Sequence, residues 1–236
     1  MAKQNYYVRG NATNTNFDRG EYYSLKDKAL SSTELEAQLK LMDPEYAADN
    51  YKYLEIKHIS LKEDCEPEAV IDFIKKIISY YQWKEITLTH IDLQADLMQA
   101  ITKELKIQGE LQRLNLSYNN LQGSRSHQLI DCLVRMVSSN PTLRALLLNA
   151  CALEDDVIEK LMHFLRIHPN IKHIELKGNH FSNEGRRVLD RFFHAEMPDL
   201  SYELDLVEEI SASDELPMPE WLFDAFSNEK LFVRAQ

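Results

Sequence analysis

Glycine and proline are scarce in this chain, at 6 and 7 of 236 residues. That scarcity excludes collagen-like, low-complexity and broadly disordered chains. Long apolar runs are absent too: stretches such as Ala145-Leu146-Leu147-Leu148 are far too short to span a bilayer, so no membrane insertion is expected. Met1-Ala2-Lys3-Gln4-Asn5-Tyr6 leads into polar residues and shows no secretory signal. The three cysteines, Cys65, Cys132 and Cys151, form no CxxC and cannot all pair, which points to a reducing, cytoplasmic compartment. No G-x-x-x-x-G-K-[ST] or G-x-S-x-G motif occurs, so neither a nucleotide site nor an acyl-transfer site has sequence support. Basic charge is also short, with 27 Lys and Arg against 38 Asp and Glu, a net of −11. Non-specific binding of nucleic acid is therefore not expected. The imbalance is local. His194 to Gln236 hold eleven acidic residues against Lys230 and Arg234, a net of −9, which leaves −2 for everything before them.

What the chain does have is an internal repeat, the feature to establish before any other. Leu111-Gln-Arg-Leu114-Asn-Leu116-Ser-Tyr-Asn119-Asn-Leu121 reads L-x-x-L-x-L-x-x-N-x-L. The frame returns at Leu143, Leu146, Leu148, Cys151 and Leu153, and at Ile171, Ile174, Leu176, Asn179 and Phe181. Upstream it appears as Trp83, Ile86, Leu88, Ile91 and Leu93, and more weakly as Ile56, Ile59 and Leu61, where Asp64 and Glu66 break it. Starts at 56, 83, 111, 143 and 171 give steps of 27, 28, 32 and 28 residues. After each of the last four frames comes an i, i+4 apolar pair of helical period: Ile101/Leu105, Leu129/Leu133, Leu161/Leu165 and Leu189/Phe193. Asn140-Pro141, His168-Pro169 and Met197-Pro198 punctuate the helix-to-strand returns, because proline cannot continue a helix.

These residues resemble the leucine-rich repeat (LRR) family, in its long ribonuclease-inhibitor-like class. The resemblance implies an α/β right-handed β-α superhelix, a solenoid or horseshoe, with parallel strands on a concave face and helices on the convex face. It divides the chain into an N-terminal arm and degenerate capping repeat (1–55), a repeat domain (56–206) and an acidic C-terminal cap or tail (207–236). Within the first segment, Tyr23 to Leu30 reads as a degenerate strand. Leu35, Leu39 and Met42 read as its helix, with Ser31 and Glu34 at capping-box spacing. Met1 to Phe17 reads as a loose arm. Leu200 to Leu206 reads as a strand carrying one extra residue, and Pro219 to Phe226 as a short capping helix.

The asparagine position of the frame, Asn119 and Asn179 with Cys151 as its substitute, is expected to satisfy backbone groups at the turn after the strand. Cys151 has no basic sequence neighbour to activate it, Cys132 reads as packed, and Cys65 lies in an acidic loop. His163, His168, His173 and His180 are spaced 5, 5 and 7 apart, which suits no helical metal pair. No metal, cofactor or catalytic residue is expected. Alternation along each strand turns the x positions outward. One outward column reads His58, Glu85, Arg113, Ala145, His173; the next reads Ser60, Thr87, Asn115, Leu147, Glu175; the third reads Lys62, Thr89, Ser117, Asn149, Lys177. A loop-edge column reads Glu63, His90, Tyr118, Ala150, Gly178. This face shows no basic stripe and no row of stacking aromatics, so no nucleic acid is expected on it. Leu147, near Arg113 and Tyr118, has the composition of an interface hot spot.

The expected function is a non-catalytic, monomeric protein-interaction module. It binds a protein partner through the concave face at Glu85, His90, Arg113, Asn115, Tyr118, Leu147, Asn149, His173 and Glu175. The alternatives are a regulator of an enzyme (an inhibitor or GTPase activator) or an enzyme. The tail from Val207 to Leu216, with Leu231-Phe-Val near the end, is similar to C-terminal signals of bacterial type IV secreted effectors. That similarity implies translocation into a host cell.

Overall fold

The computed structural model describes residues 22–42, 51–61, 67–91, 95–106, 108–136, 140–168 and 170–205. Strands and helices alternate: β1 (Tyr22–Leu30), α1 (Ser32–Met42), β2 (Tyr53–Leu61), α2 (Pro67–Tyr80), β3 (Glu85–Thr89), α3 (Ala95–Leu105), β4 (Arg113–Asn115), α4 (Ser124–Met136), β5 (Ala145–Leu147), α5 (Ile158–Ile167), β6 (His173–Glu175), α6 (Asn183–Glu196) and β7 (Ser201–Glu203). The seven strands form one sheet in sequence order, every neighbouring pair parallel. Met1–Asp205 form one compact unit and Leu206–Gln236 a second. The second unit, with the expected tail and its short helix, lies outside the described residues. So do the arm at 1–17, Cys65 and Leu93.

The expected superhelix is corrected. The sheet is open and uncurled, with β1 and β7 as its free edges, and no concave horseshoe face is formed. The units are also unequal, since β1 and β2 have nine residues, β3 five and β4 to β7 three. A frame of spaced leucines dictates which strand pairs with which, and in what register. It does not dictate that the paired array bends into a ring. What holds is an α/β architecture with a parallel sheet flanked by helices.

The core lies where the apolar periodicity puts it. Ile86, Leu114, Leu146 and Ile174 sit side by side in register and are each fully buried. The helical pairs at 101/105, 129/133, 161/165 and 189/193 are buried as well. Ser31 and Glu34 close the expected capping box. The Ser31 backbone N–H donates to the Glu34 carboxylate at 2.7 Å, and the Glu34 N–H donates to Ser31 Oγ at 3.3 Å. In β7, Tyr202 pairs with Ile174, so the tyrosine fills a leucine position. The expected extra residue is corrected: Leu200 precedes Tyr202 by two residues, whereas Ile171 precedes Ile174 by three.

The register also corrects the first frame. Tyr53 pairs with Glu85, Leu54 with Ile86 and Ile56 with Leu88, so the apolar row runs through Leu54 and Ile56. From β1 to β7 the register offsets are 31 (Tyr22↔Tyr53), 32 (Tyr53↔Glu85), 28 (Glu85↔Arg113), 32 (Arg113↔Ala145), 28 (Ala145↔His173) and 28 (His173↔Ser201). Between β1 and β2 the pairing skips one residue on each strand, Asp27 and His58, both at left-handed φ of 51° and 50°. This doubled irregularity shifts the alternation after Lys57. That is why Ile56-x-x-Ile59-x-Leu61 imitates the frame without occupying it.

Buried polar side chains tie each unit to the one before it. Gln108, three residues ahead of Leu111, donates to Ile78 O at 2.8 Å and accepts from the Trp83 N–H at 2.8 Å. Asn140, three ahead of Leu143, donates to Leu105 O at 3.0 Å. Both satisfy carbonyls that a helix end leaves unpaired. His168 holds the equivalent place ahead of Ile171, is 2% exposed, and makes no side-chain hydrogen bond. Burial holds its imidazole below the ordinary value, against a smaller opposing influence from the Asn140 backbone. The unfolded chain then takes up the proton first, as pH falls through about 6.5. Stability is complete above that pH and declines as pH drops toward the lower folded value. Melting temperatures measured between about pH 7.5 and 5.5 should fall more steeply for wild type than for His168→Asn, which copies Asn140. Parallel profiles would show that His168 is not the group responsible.

One helical glycine is required by packing. Ser182 caps α6, its Oγ accepting from the Gly185 N–H at 3.0 Å. Asp155, in the 3₁₀ turn Asp155–Val157, accepts from the Ser182 N–H at 2.9 Å and from its hydroxyl. A Cβ on Gly185 would lie 2.1 Å from Asp155 Oδ1 and 2.9 Å from Ile158 Cδ1. Alanine normally stabilises a helix interior by about 1 kcal/mol over glycine. Here Gly185→Ala should instead lose about 1–3 kcal/mol, the usual range for overpacking. A urea midpoint at or above the wild-type value would contradict this packing.

Candidate functional site

The expected site residues separate into two groups. Arg113, Asn149 and His173 gather about Glu175 on the outward face of β4 to β6. His173 Nε2 donates to Glu175 Oε1 at 3.0 Å, and the Asn149 amide donates to Oε2. Burial pushes the Glu175 carboxyl up, but those two hydrogen bonds and the charges of His173 and Arg113 outweigh it and hold the group below its usual range. Glu85 stands beside Arg113 in register, and Asn115 beside Leu147.

Leu147 is not exposed, and its role as the centre of a binding patch is corrected. It is 4% exposed and lies in register between Asn115 and Glu175. The polar network on Glu175 closes over the neighbouring strand. Alternation along a strand sets which face a side chain leaves from, but its exposure depends on what its neighbours cover. The expected binding through a concave face is corrected with it. The sheet is open, and its outward polar side chains are largely engaged with one another.

Ser201 Oγ lies 3.3 Å from His173 Nδ1, so Ser201, His173 and Glu175 form a hydroxyl–imidazole–carboxylate chain. The arrangement suggests nucleophilic catalysis, which also needs donors for an oxyanion. The Ser201 N–H, the first candidate, is spent on Lys172 O at 2.9 Å, and the His173 N–H on Arg144 O at 3.0 Å. Cys151 is no nucleophile either. Burial raises its thiol to about 12, partly opposed by the backbone at Asn119 and Tyr118, and its Sγ donates to Leu116 O at 3.3 Å. Among the described residues no group of three or more His, Cys, Asp or Glu converges as a metal site.

The second group is a ladder at the strand ends. His58, His90, Tyr118, Ala150 and Gly178 follow one another in register, all left-handed, with φ of 50°, 55°, 62°, 50° and 70°. The rings of His58 and His90 stack with centroids 3.9 Å apart and planes 19° from parallel. His90 and Tyr118 stack at 4.9 Å and 9°. All three rings are exposed. Partial burial, then the charges of His58 and Lys57, keep the His90 imidazole below its ordinary value, so a neutral ring stacks on the phenol at neutral pH. A left-handed conformation costs a non-glycine residue about 1–2 kcal/mol. Parallel strands about 4.8 Å apart bring successive rungs close to stacking distance.

His90 and Tyr118 were thus placed together correctly by sequence, and the expected absence of stacked rings is corrected. His58, assigned by its frame to the column of Glu85 and Arg113, is the residue that sequence reasoning missed. A signal for it existed: starting the first frame at Tyr51 gives a step of 32 residues to Trp83, the same as the step from Leu111 to Leu143.

No family model matches this chain, and no curated protein matches it. The LRR resemblance therefore has neither a family match nor a horseshoe behind it. Among solved structures, leiomodin-1 actin-binding site 2 is similar at 11% identity, over 58% of this chain and 77% of that one, with a TM-score of 0.47. A protein from Bacteroides fragilis is similar at 16% identity and a TM-score of 0.40, over 72% of this chain and 49% of the other, so the match spans about half of that structure. Among the described residues, no helix is long and apolar enough to cross a membrane.

Proposed function

We propose that this protein is a non-catalytic, monomeric binding module that engages a protein partner through the ladder of His58, His90 and Tyr118. The observation that supports this reading is three exposed, stacked rings on three consecutive left-handed residues. Core packing gains nothing from them, and each carries a conformational cost. Rigid exposed aromatic groups are the usual anchors of protein interfaces. A protein partner fits better than nucleic acid, because a net charge of −11 repels phosphate. The engaged N–H groups around Ser201 favour binding over catalysis.

The test is quantitative capture from lysate with three baits: wild type, His90→Ala/Tyr118→Ala, and Arg113→Ala/Glu175→Gln. A partner held by the first and third and lost from the second is the expected result. Equal capture by all three, or loss only with the third, rejects the ladder. Turnover of an ester panel that disappears in Ser201→Ala would reject the non-catalytic reading.

The location proposed is the cytoplasm, with residues 207–236 directing passage to a host cell by type IV secretion. Glu208-Glu209, Ser211-Ala-Ser213 and Leu231-Phe-Val233 support this. A reporter fused to 207–236 should be transferred by a secretion-competent strain; no transfer rejects the signal.

A further inference from the structure

The ladder stops at Tyr118. His90 covers one face of its ring. The next two rungs toward β7 are Ala150 and Gly178, which bear no ring, and Tyr118 keeps 45% of its surface exposed. Two strand spacings of about 4.8 Å each therefore separate the uncovered phenol face from the Gly178 rung. The slot has a floor of small residues: a Cβ placed on Gly178 would already touch Ala150 Cβ at 3.4 Å. At its far end stands a carboxylate. Asp205 accepts from the Gly178 N–H at 2.9 Å, and its other charged neighbour, Arg186, is 3.9 Å away. The nearby Lys177 is already paired with Glu203 at 3.0 Å.

From this geometry we infer that the slot recognises an arginine side chain in a basic segment of the partner. A guanidinium is flat, stacks on an aromatic face, and presents a fork of N–H donors at its edge. Seated on Tyr118 above Ala150, it fills the missing rung and directs that fork at Asp205. A lysine ammonium has no plane to stack and is more strongly hydrated, so it is discriminated against. The chain's net charge of −11 favours approach by a basic segment.

This inference rests on the ladder being the binding surface, and its test separates the two. The probe is a short Gly/Arg peptide, compared with a Gly/Lys peptide of equal charge and a Gly/Trp peptide, each titrated into the full-length protein while Tyr118 ring resonances are followed by NMR. The Arg peptide should shift them saturably, with the Lys peptide at least about fivefold weaker. Ala150→His, which extends the ladder with a residue already accommodated at the equivalent rungs 58 and 90, should abolish the shift while leaving the melting temperature near wild type. Asp205→Asn should weaken binding several-fold. Equal response to Arg and Lys peptides, stronger binding of the Trp peptide, or normal binding by Ala150→His would overturn the arginine assignment. If the peptides fail while the His90→Ala/Tyr118→Ala bait still loses its partner, the ladder stands and only the arginine chemistry is wrong. If that bait also keeps its partner, both readings fall.

Discussion

Asn179→Ala is expected to cost about 3–5 kcal/mol, as much as deleting a large apolar side chain from the core. The Asn179 amide donates to Leu148 O at 2.8 Å and Leu176 O at 2.7 Å, while its oxygen accepts from the Cys151 N–H at 3.0 Å and the Leu153 N–H at 3.1 Å. One side chain therefore satisfies four buried backbone groups on two consecutive units. Alanine leaves all four without that partner, and each unsatisfied buried group costs about 1–3 kcal/mol before any relaxation or water entry. Asn119 does the same one step earlier. It donates to Leu88 O and Leu116 O, both at 2.8 Å, and accepts from the Ile91 N–H at 3.0 Å. Asn119→Ala should fall in the same range. Urea melts decide the matter: a loss below about 1 kcal/mol at both sites would mean these side chains are not the ties between units.

Leu147→Glu is expected to prevent folding or to cost at least about 3 kcal/mol, because it buries an unpaired charge. The new carboxylate would stand in register beside Glu175, itself already held in its charged form, so repulsion adds to desolvation. Circular dichroism and a melt of the variant should show this. A well-folded variant of wild-type stability would mean that Leu147 is accessible after all and would reinstate it as a surface residue.

The contrast between these two residues shows what the sequence could disclose. The asparagine role was legible, because a polar residue recurring at one frame position in a strand-turn-helix repeat has backbone groups to satisfy whatever the unit's surroundings. The core rows through Leu114, Leu146 and Ile174 were legible for the same local reason. Leu147 was not, since its burial depends on Asn115 and on the Glu175 network across the sheet. The ladder was half legible. His90 and Tyr118 follow from one frame, but His58 joins them only through the paired irregularity at Asp27 and His58, which no hydrophobic pattern announces. The curvature was not legible at all. Repeat spacing constrains neighbour pairing, and the unequal strand lengths of β1 and β2 against β4 to β7 emerge only from the backbone.

The most direct test of the binding surface is site-specific photocrosslinking with benzoylphenylalanine in place of Tyr118, set against the same residue in place of His163, which is exposed on α5. Irradiation with the captured partner should give one discrete crosslinked species from position 118 and none from position 163. A crosslink from 163 with none from 118 would place the partner on the helices and contradict the ladder.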